Sequence, residues 1–164
     1  MSDPGLEKLL QRLISSLSED MLVQSVTDNL RKQLNVDRVV LYYFYRQWEG
    51  RVTFESLGSQ QYSILGSTGP DECFNGEYAA LYKDGRVNAI PNIKTASIAD
   101  CHRQFLEEIQ VKANLVVPVL PDSGLWGLLV AHHCQHPVDW SQQHITMMQA
   151  GASTLARSET INKK

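Results

Sequence analysis

The sequence predicts a single α+β domain in which helices pack against an antiparallel sheet. Three observations carry this. Apolar residues recur at helical spacing near both ends of the chain, and a late pair of strong strand segments is joined by a turn. The regular strand–helix alternation of a parallel sheet is missing. The 164 residues are enough for one domain with a sizeable core and too few for two. With 43% hydrophobic and 20% charged residues, the composition is that of a soluble globular protein.

Leu6, Leu9, Leu10, Leu13, Ile14 and Leu17 form one stripe of a first helix. Ser18-Glu19-Asp20 breaks it and supplies a new N-cap, after which Val23, Val26, Leu30 and Leu34 mark a second helix. Arg38 to Tyr45, dense in Val, Leu, Tyr and Phe, reads as a strand. The turn Gln47-Trp48-Glu49-Gly50 leads back through the alternating Val52-Thr53-Phe54-Glu55. From Gly58 to Ala99 the pattern is irregular. A short helix is expected from Glu77 to Lys83, ending at Asp84-Gly85, and a brief strand from Val87 to Ile90 that stops at Pro91. Asn114–Leu120 and Leu125–His132 flank Pro121-Asp122-Ser123-Gly124 as a hairpin. Trp140-Ser141 opens a last helix with Ile145, Met148, Ala152 and Leu155 inward. The expectation is one domain over residues 1–164, with terminal helices over 4–35 and 140–162 and a pocket built from about 58–134. The terminal helices are expected to run on into neighbouring signalling domains, and their apolar stripes would suit a homodimer.

A net charge of −3 disfavours nucleic acid as a partner. No apolar run approaches the roughly 20 residues that cross a bilayer, and no signal segment opens the chain. A cytoplasmic location is therefore expected. The cysteines at 73, 101 and 134 are odd in number and widely spaced, which excludes a disulfide framework. Cys134 reads as a buried thiol. The run His132-His133-Cys134-x-His136 has zinc-ligand residue types but no second ligand pair, so no metal site is assigned.

Two motifs carry chemistry: Asp71-Glu72-Cys73-Phe74, and Ala99-Asp100-Cys101-His102 leading into a helix. The second runs into Val111-Lys112-Ala113-Asn114-Leu115-Val116-Val117-Pro118 and, past the turn, Leu125-Trp126-Gly127-Leu128-Leu129-Val130-Ala131-His132. With Asp37-Arg38-Val39-Val40 at the first strand, this ordered set resembles the cyanobacteriochrome GAF domains, and the first motif resembles their Asp-x-Cys-Phe subgroup.

The resemblance implies a GAF fold, a central antiparallel sheet of about six strands with helices on both faces. It implies a photoreceptor module carrying a covalent linear tetrapyrrole, phycocyanobilin or phycoviolobilin. Cys101 is the implied anchor, at a helix N-terminus that favours a thiolate, with Asp100 as N-cap. Cys73 is the implied second, reversible thioether, whose formation splits the conjugated system and gives a blue-absorbing state. Isomerisation of the double bond between rings C and D would release it and give a green- to red-absorbing state. Asp71 is expected at the pyrrole N–H groups, His102 flat against the bilin, and Phe74, Tyr82 and His132 in the pocket. Lys83, Arg86 and Arg103 are the cations for the propionates. No enzymatic turnover is expected beyond self-catalysed attachment, and the implied output is a kinase, cyclase or chemotaxis-type module. Two alternatives remain: a GAF domain holding a non-covalent ligand such as a cyclic nucleotide, and an enzyme of the free methionine sulfoxide reductase type. A colourless protein from bilin-producing cells would favour the former, and thiol-dependent turnover the latter.

Overall fold

Two capped helices begin the described chain. In the computed structural model, which describes residues 3–46, 49–69 and 80–162, α1 spans Pro4–Glu19 and α2 spans Met21–Leu34. Asp3 caps α1 by accepting from the Gly5 and Leu6 N–H groups, and Asp20 caps α2 by accepting from Leu22 and Val23. The expected break at Ser18-Glu19-Asp20 is therefore real, and it is made by one side chain. Asn35 ends α2 in the left-handed conformation (φ 56°).

Five strands follow among the described residues: β1 Arg38–Arg46, β2 Glu49–Leu57, β3 Asn88–Ile90, β4 Ala113–Val119 and β5 Gly127–His133. They form one antiparallel sheet in the order β2-β1-β5-β4-β3. This is five strands where about six were expected. Glu49 and Gly50, expected in a turn, already belong to β2, and Gln47 and Trp48 lie outside the described residues. The expected helix from Glu77 is described only from Ala80, where a 3₁₀ turn over Leu81–Asp84 closes at Gly85, as its sequence foretold. Helix α3 spans Asp100–Glu108 and α4 spans Gln142–Leu155. Helix α4 opens on a reciprocal capping pair between Ser141 and His144.

The period of two along each strand divides the interior into two compartments. Val39 and Leu41 of β1, Leu115 and Val117 of β4, and Leu129 and Ala131 of β5 face α1, α2 and α4, and form the main core with Leu17, Leu30 and Met148. Val40, Tyr42, Val116, Leu128 and Val130 face the other way, into a second cluster with Tyr82. A third cluster of Ile90, Ile93, Leu106 and Val111 seats α3 beside that second face. Burial on both faces explains why β4 and β5 read as continuous apolar runs, every residue of both being buried.

Candidate functional site

The second face of the sheet is the floor of a cleft enclosing about 620 Å³, its open mouth included. Val40, Tyr42, Val52, Val116, Leu128 and Val130 make the floor. Helix α3 makes one wall through His102, Phe105 and Leu106, and Tyr82 and the 64–69 loop make others. The floor residues of β1 and β2 fall outside the segment that sequence reasoning assigned to the pocket. Their only signals were strand-favouring composition in β1 and alternation in β2, which mark a face as buried without saying against what.

Of the candidate residues, the fold brings His102, Tyr82 and His132 to this cleft. His102 is in the first turn of α3 and is buried, and burial, then the Arg86 cation, lowers its pKa. Tyr82 is 2% exposed, with the Arg86 guanidinium 5.5 Å from its ring centroid. His132, at the end of β5, is 4% exposed. Burial, then Arg38, holds its pKa well below the ordinary value, so its ring is neutral. Arg38 Nε–H donates to His132 Nδ1 at 2.9 Å.

Cys101 is exposed and follows Asp100, the first residue of the nine-residue helix α3. The cap is Ala99, one position earlier than expected, and it offers no side-chain bond. Asp100 therefore stands inside the first turn, where its carboxylate meets Arg103 Nη1 at 3.5 Å. The Cys101 sulfur is held in a disulfide. An odd cysteine count excludes a full framework but still allows a single pair. Cys134 is free and buried, as expected, and burial pushes its thiol up to about 11. Asp71, Glu72, Cys73 and Phe74 lie outside the described residues.

Of the cations proposed for propionates, Lys83 is exposed on the 3₁₀ turn next to Tyr82. Arg103 bonds to its own neighbourhood: Nε donates to the Ile93 carbonyl at 2.9 Å, and Nη2 donates to the Ala96 carbonyl. The zinc-like run is consumed locally. His133 Nδ1 accepts from the Gln135 and His136 N–H groups, each at 3.2 Å, while Asp37 accepts from Cys134 N–H and the Gln135 amide, each at 2.6 Å.

The buried neutral histidines set a pH dependence. In the unfolded chain they titrate near 6.5, whereas His102 and His132 in the fold protonate only at lower pH. Below 6.5 the unfolded state thus binds more protons, and stability falls as pH falls. It is complete above about pH 7 and declines by up to about 1.4 kcal/mol per pH unit for each histidine. Urea midpoints at pH 7.5 and 5.5 check this; equal midpoints would exclude it.

The GAF domain family model matches residues 18–158, and the chain belongs to that family. It is 46% identical over 157 residues to an uncharacterized protein of Picosynechococcus sp. strain PCC 7002, with 95% of this chain and 96% of that protein covered. It is 34% identical over 142 residues to a putative methyl-accepting chemotaxis protein of Synechocystis sp. strain PCC 6803, covering 87% of this chain but only 14% of that protein. Among solved structures, the blue-light absorbing form of the Thermosynechococcus elongatus PixJ GAF domain superposes with a TM-score of 0.70 at 32% identity, covering 82% of this chain and 84% of that one. A phycocyanobilin-bound GAF domain from a cyanobacterial phytochrome gives a TM-score of 0.74 at 26% identity, covering 94% and 93%. The likeness to cyanobacteriochrome GAF domains and the GAF fold expected from sequence both hold. Among the described residues, no helix is long and apolar enough to cross a membrane.

Proposed function

We propose that this GAF domain is a bilin-binding photoreceptor module, anchored through Cys101 and switched through Cys73. One observation carries the reading: the first turn of α3 bears Cys101, and its very next residue, His102, lines the cleft. A chromophore lying in the cleft against His102 thereby has its edge near the anchor sulfur. The attack requires a thiolate, so the Cys101 disulfide must first be opened by a dithiol reductant, which is itself oxidised to a disulfide and leaves Cys101 and its former partner as thiols. The thiolate then adds to the exocyclic double bond of the A ring, and a proton goes to the neighbouring carbon. The N-terminus of α3 favours the anion, while Asp100 opposes it.

In this reading the chromophore is phycocyanobilin or phycoviolobilin. Asp71 accepts from the pyrrole N–H groups, and Phe74, Tyr82 and His132 pack around the rings. Arg86, beside both Tyr82 and His102, is the cation best placed for a propionate, with Lys83 at the margin. Arg103 stabilises the 93–96 loop under the anchor and serves the propionates only if it leaves that loop. Reversible addition of Cys73 to the central methine bridge shortens the conjugated path and gives a blue-absorbing state. Isomerisation between rings C and D releases it. The module signals to a chemotaxis-type or kinase output, from the cytoplasm.

The test is to purify the chain under reducing conditions from bilin-producing cells, denature it and look for covalent pigment by zinc fluorescence. Spectra before and after blue light follow. A colourless protein would sink the proposal. Cys73→Ala should remove the blue-absorbing form while leaving a coloured protein; blue absorption unchanged in that variant would reject the second thioether.

A further inference from the structure

Three residues form one cross-strand row on the cleft face of the sheet: Arg38 on β1 opposes His132 on β5, and His132 opposes Asn114 on β4. All three are buried, and Arg38 is wholly so. Resting on the bilin reading above, we propose that Arg38 is a positioning residue that fixes His132 as a neutral imidazole, with Nε2–H presented to a carbonyl oxygen of the ligand.

A guanidinium has only donors to offer. Arg38 places its Nε–H on His132 Nδ1 at 2.9 Å, so Nδ1 must be the ring's acceptor and the single proton of the neutral ring must sit on Nε2. The guanidinium is itself locked, donating from Nη1 to the Tyr62 carbonyl at 2.8 Å and from Nη2 to the Ile109 carbonyl. Those two carbonyls belong to the segment after β2 and to the end of α3, so the tautomer is set by backbone from two separate parts of the chain. The proton is not spent on the other member of the row, because Asn114 Oδ1 is buried with no hydrogen-bond partner. The His132 ring borders the cleft, which leaves Nε2–H for what occupies it.

The surrounding charges act through Arg38. Burial lowers the Arg38 pKa from its ordinary value, and Glu55 on β2 and Asp37 beside it work against that by favouring its cationic form, while Cys134 stays a neutral thiol at ordinary pH. Protonating His132 would place an Nδ1–H against the Arg38 Nε–H. The arrangement therefore keeps the donor in one state across the pH range where a free histidine changes charge.

Long-range ¹H–¹⁵N correlation spectra of the histidine rings, recorded on the bilin-free protein from pH 5.5 to 8, read the tautomer directly. The expected result is a His132 ring that stays neutral with its proton on Nε2 throughout. In Arg38→Met, its titration should move by at least half a pH unit towards 6.5 or its tautomers should mix, and Arg38→Lys should restore part of the wild-type behaviour. A wild-type Nδ1–H tautomer, or an Arg38→Met spectrum identical to wild type, would overturn the role of Arg38. If neither variant folds, the wild-type tautomer alone decides.

In the pigmented protein, the bilin band should be flat over the same pH range and become pH-dependent in Arg38→Met. A band equally flat in that variant overturns the coupling to the ligand. Failure to take up any bilin overturns the photoreceptor reading instead, and leaves the tautomer measurement standing.

Discussion

Replacing Cys101 with alanine should abolish covalent pigment completely, leaving a folded protein that loses its colour on denaturation. No other described thiol can take over. Cys134 lies beyond β5 with its thiol pushed up to about 11, so at pH 7 only about one part in ten thousand is thiolate. It is also buried, and it bonds to Asp37 through its own backbone N–H, not through sulfur. Cys101, by contrast, is exposed at the start of a helix, so its substitution removes no core packing, and under reducing conditions, where its disulfide is already open, it costs little stability. Zinc fluorescence of the denatured variant reads the outcome. Covalent bilin retained by Cys101→Ala would overturn the anchor assignment, and would transfer it to Cys73.

Gly127→Ala should be the most damaging single-methyl change in the sheet. A Cβ at Gly127 would stand 2.1 Å from the Tyr42 carbonyl oxygen and 3.1 Å from the Tyr43 Cα. The obstacle is backbone on the paired strand, so no rotamer change can relieve it. Strands β1 and β5 would have to separate where Tyr43 pairs with Gly127. Overpacking ordinarily costs about 1–3 kcal/mol, and an immovable neighbour puts this case at or above about 3 kcal/mol. That is a large share of the roughly 5–15 kcal/mol that keeps a domain folded. Gly151→Ala is the natural control. Its added methyl meets the tip of Leu30 at 2.7 Å, and a side-chain tip can move. Urea denaturation of the two variants should therefore separate them by more than about 1 kcal/mol; equal losses would refute the backbone-obstacle argument.

The elements that the sequence announced well are those whose signals are local. Asp20 breaks the N-terminal helix because a carboxylate can satisfy two free N–H groups only at a helix start. The β4–β5 hairpin was legible because Gly124 supplies the positive φ of 119° that closes its turn. The N-cap of α3 was misplaced by one residue for the same kind of reason. Asp100 is the better capping residue type, yet the chain enters the helix at Ala99 and uses the carboxylate on Arg103 instead. Arg103 illustrates the limit further. Its charge suggested a propionate partner, but the nearest acceptors are the Ile93 and Ala96 carbonyls, and only the folded loop could show that.

By itself, the sequence determined the antiparallel α+β plan and the GAF likeness, and through that likeness it pointed to Cys101 on a helix start and to His102, Tyr82 and His132, which the fold brings to one cleft. Period, capping chemistry and motif order are properties of neighbouring residues, so the chain carries them openly. The tertiary structure alone decided that Val40, Tyr42 and Val52 floor the cleft, that Cys101 is held in a disulfide and that Arg38 sets the proton on His132. Arg38 and His132 are 94 positions apart. Their bond exists because β1 pairs with β5 in one register, and register is fixed by the whole sheet closing on its core rather than by either strand's own residues.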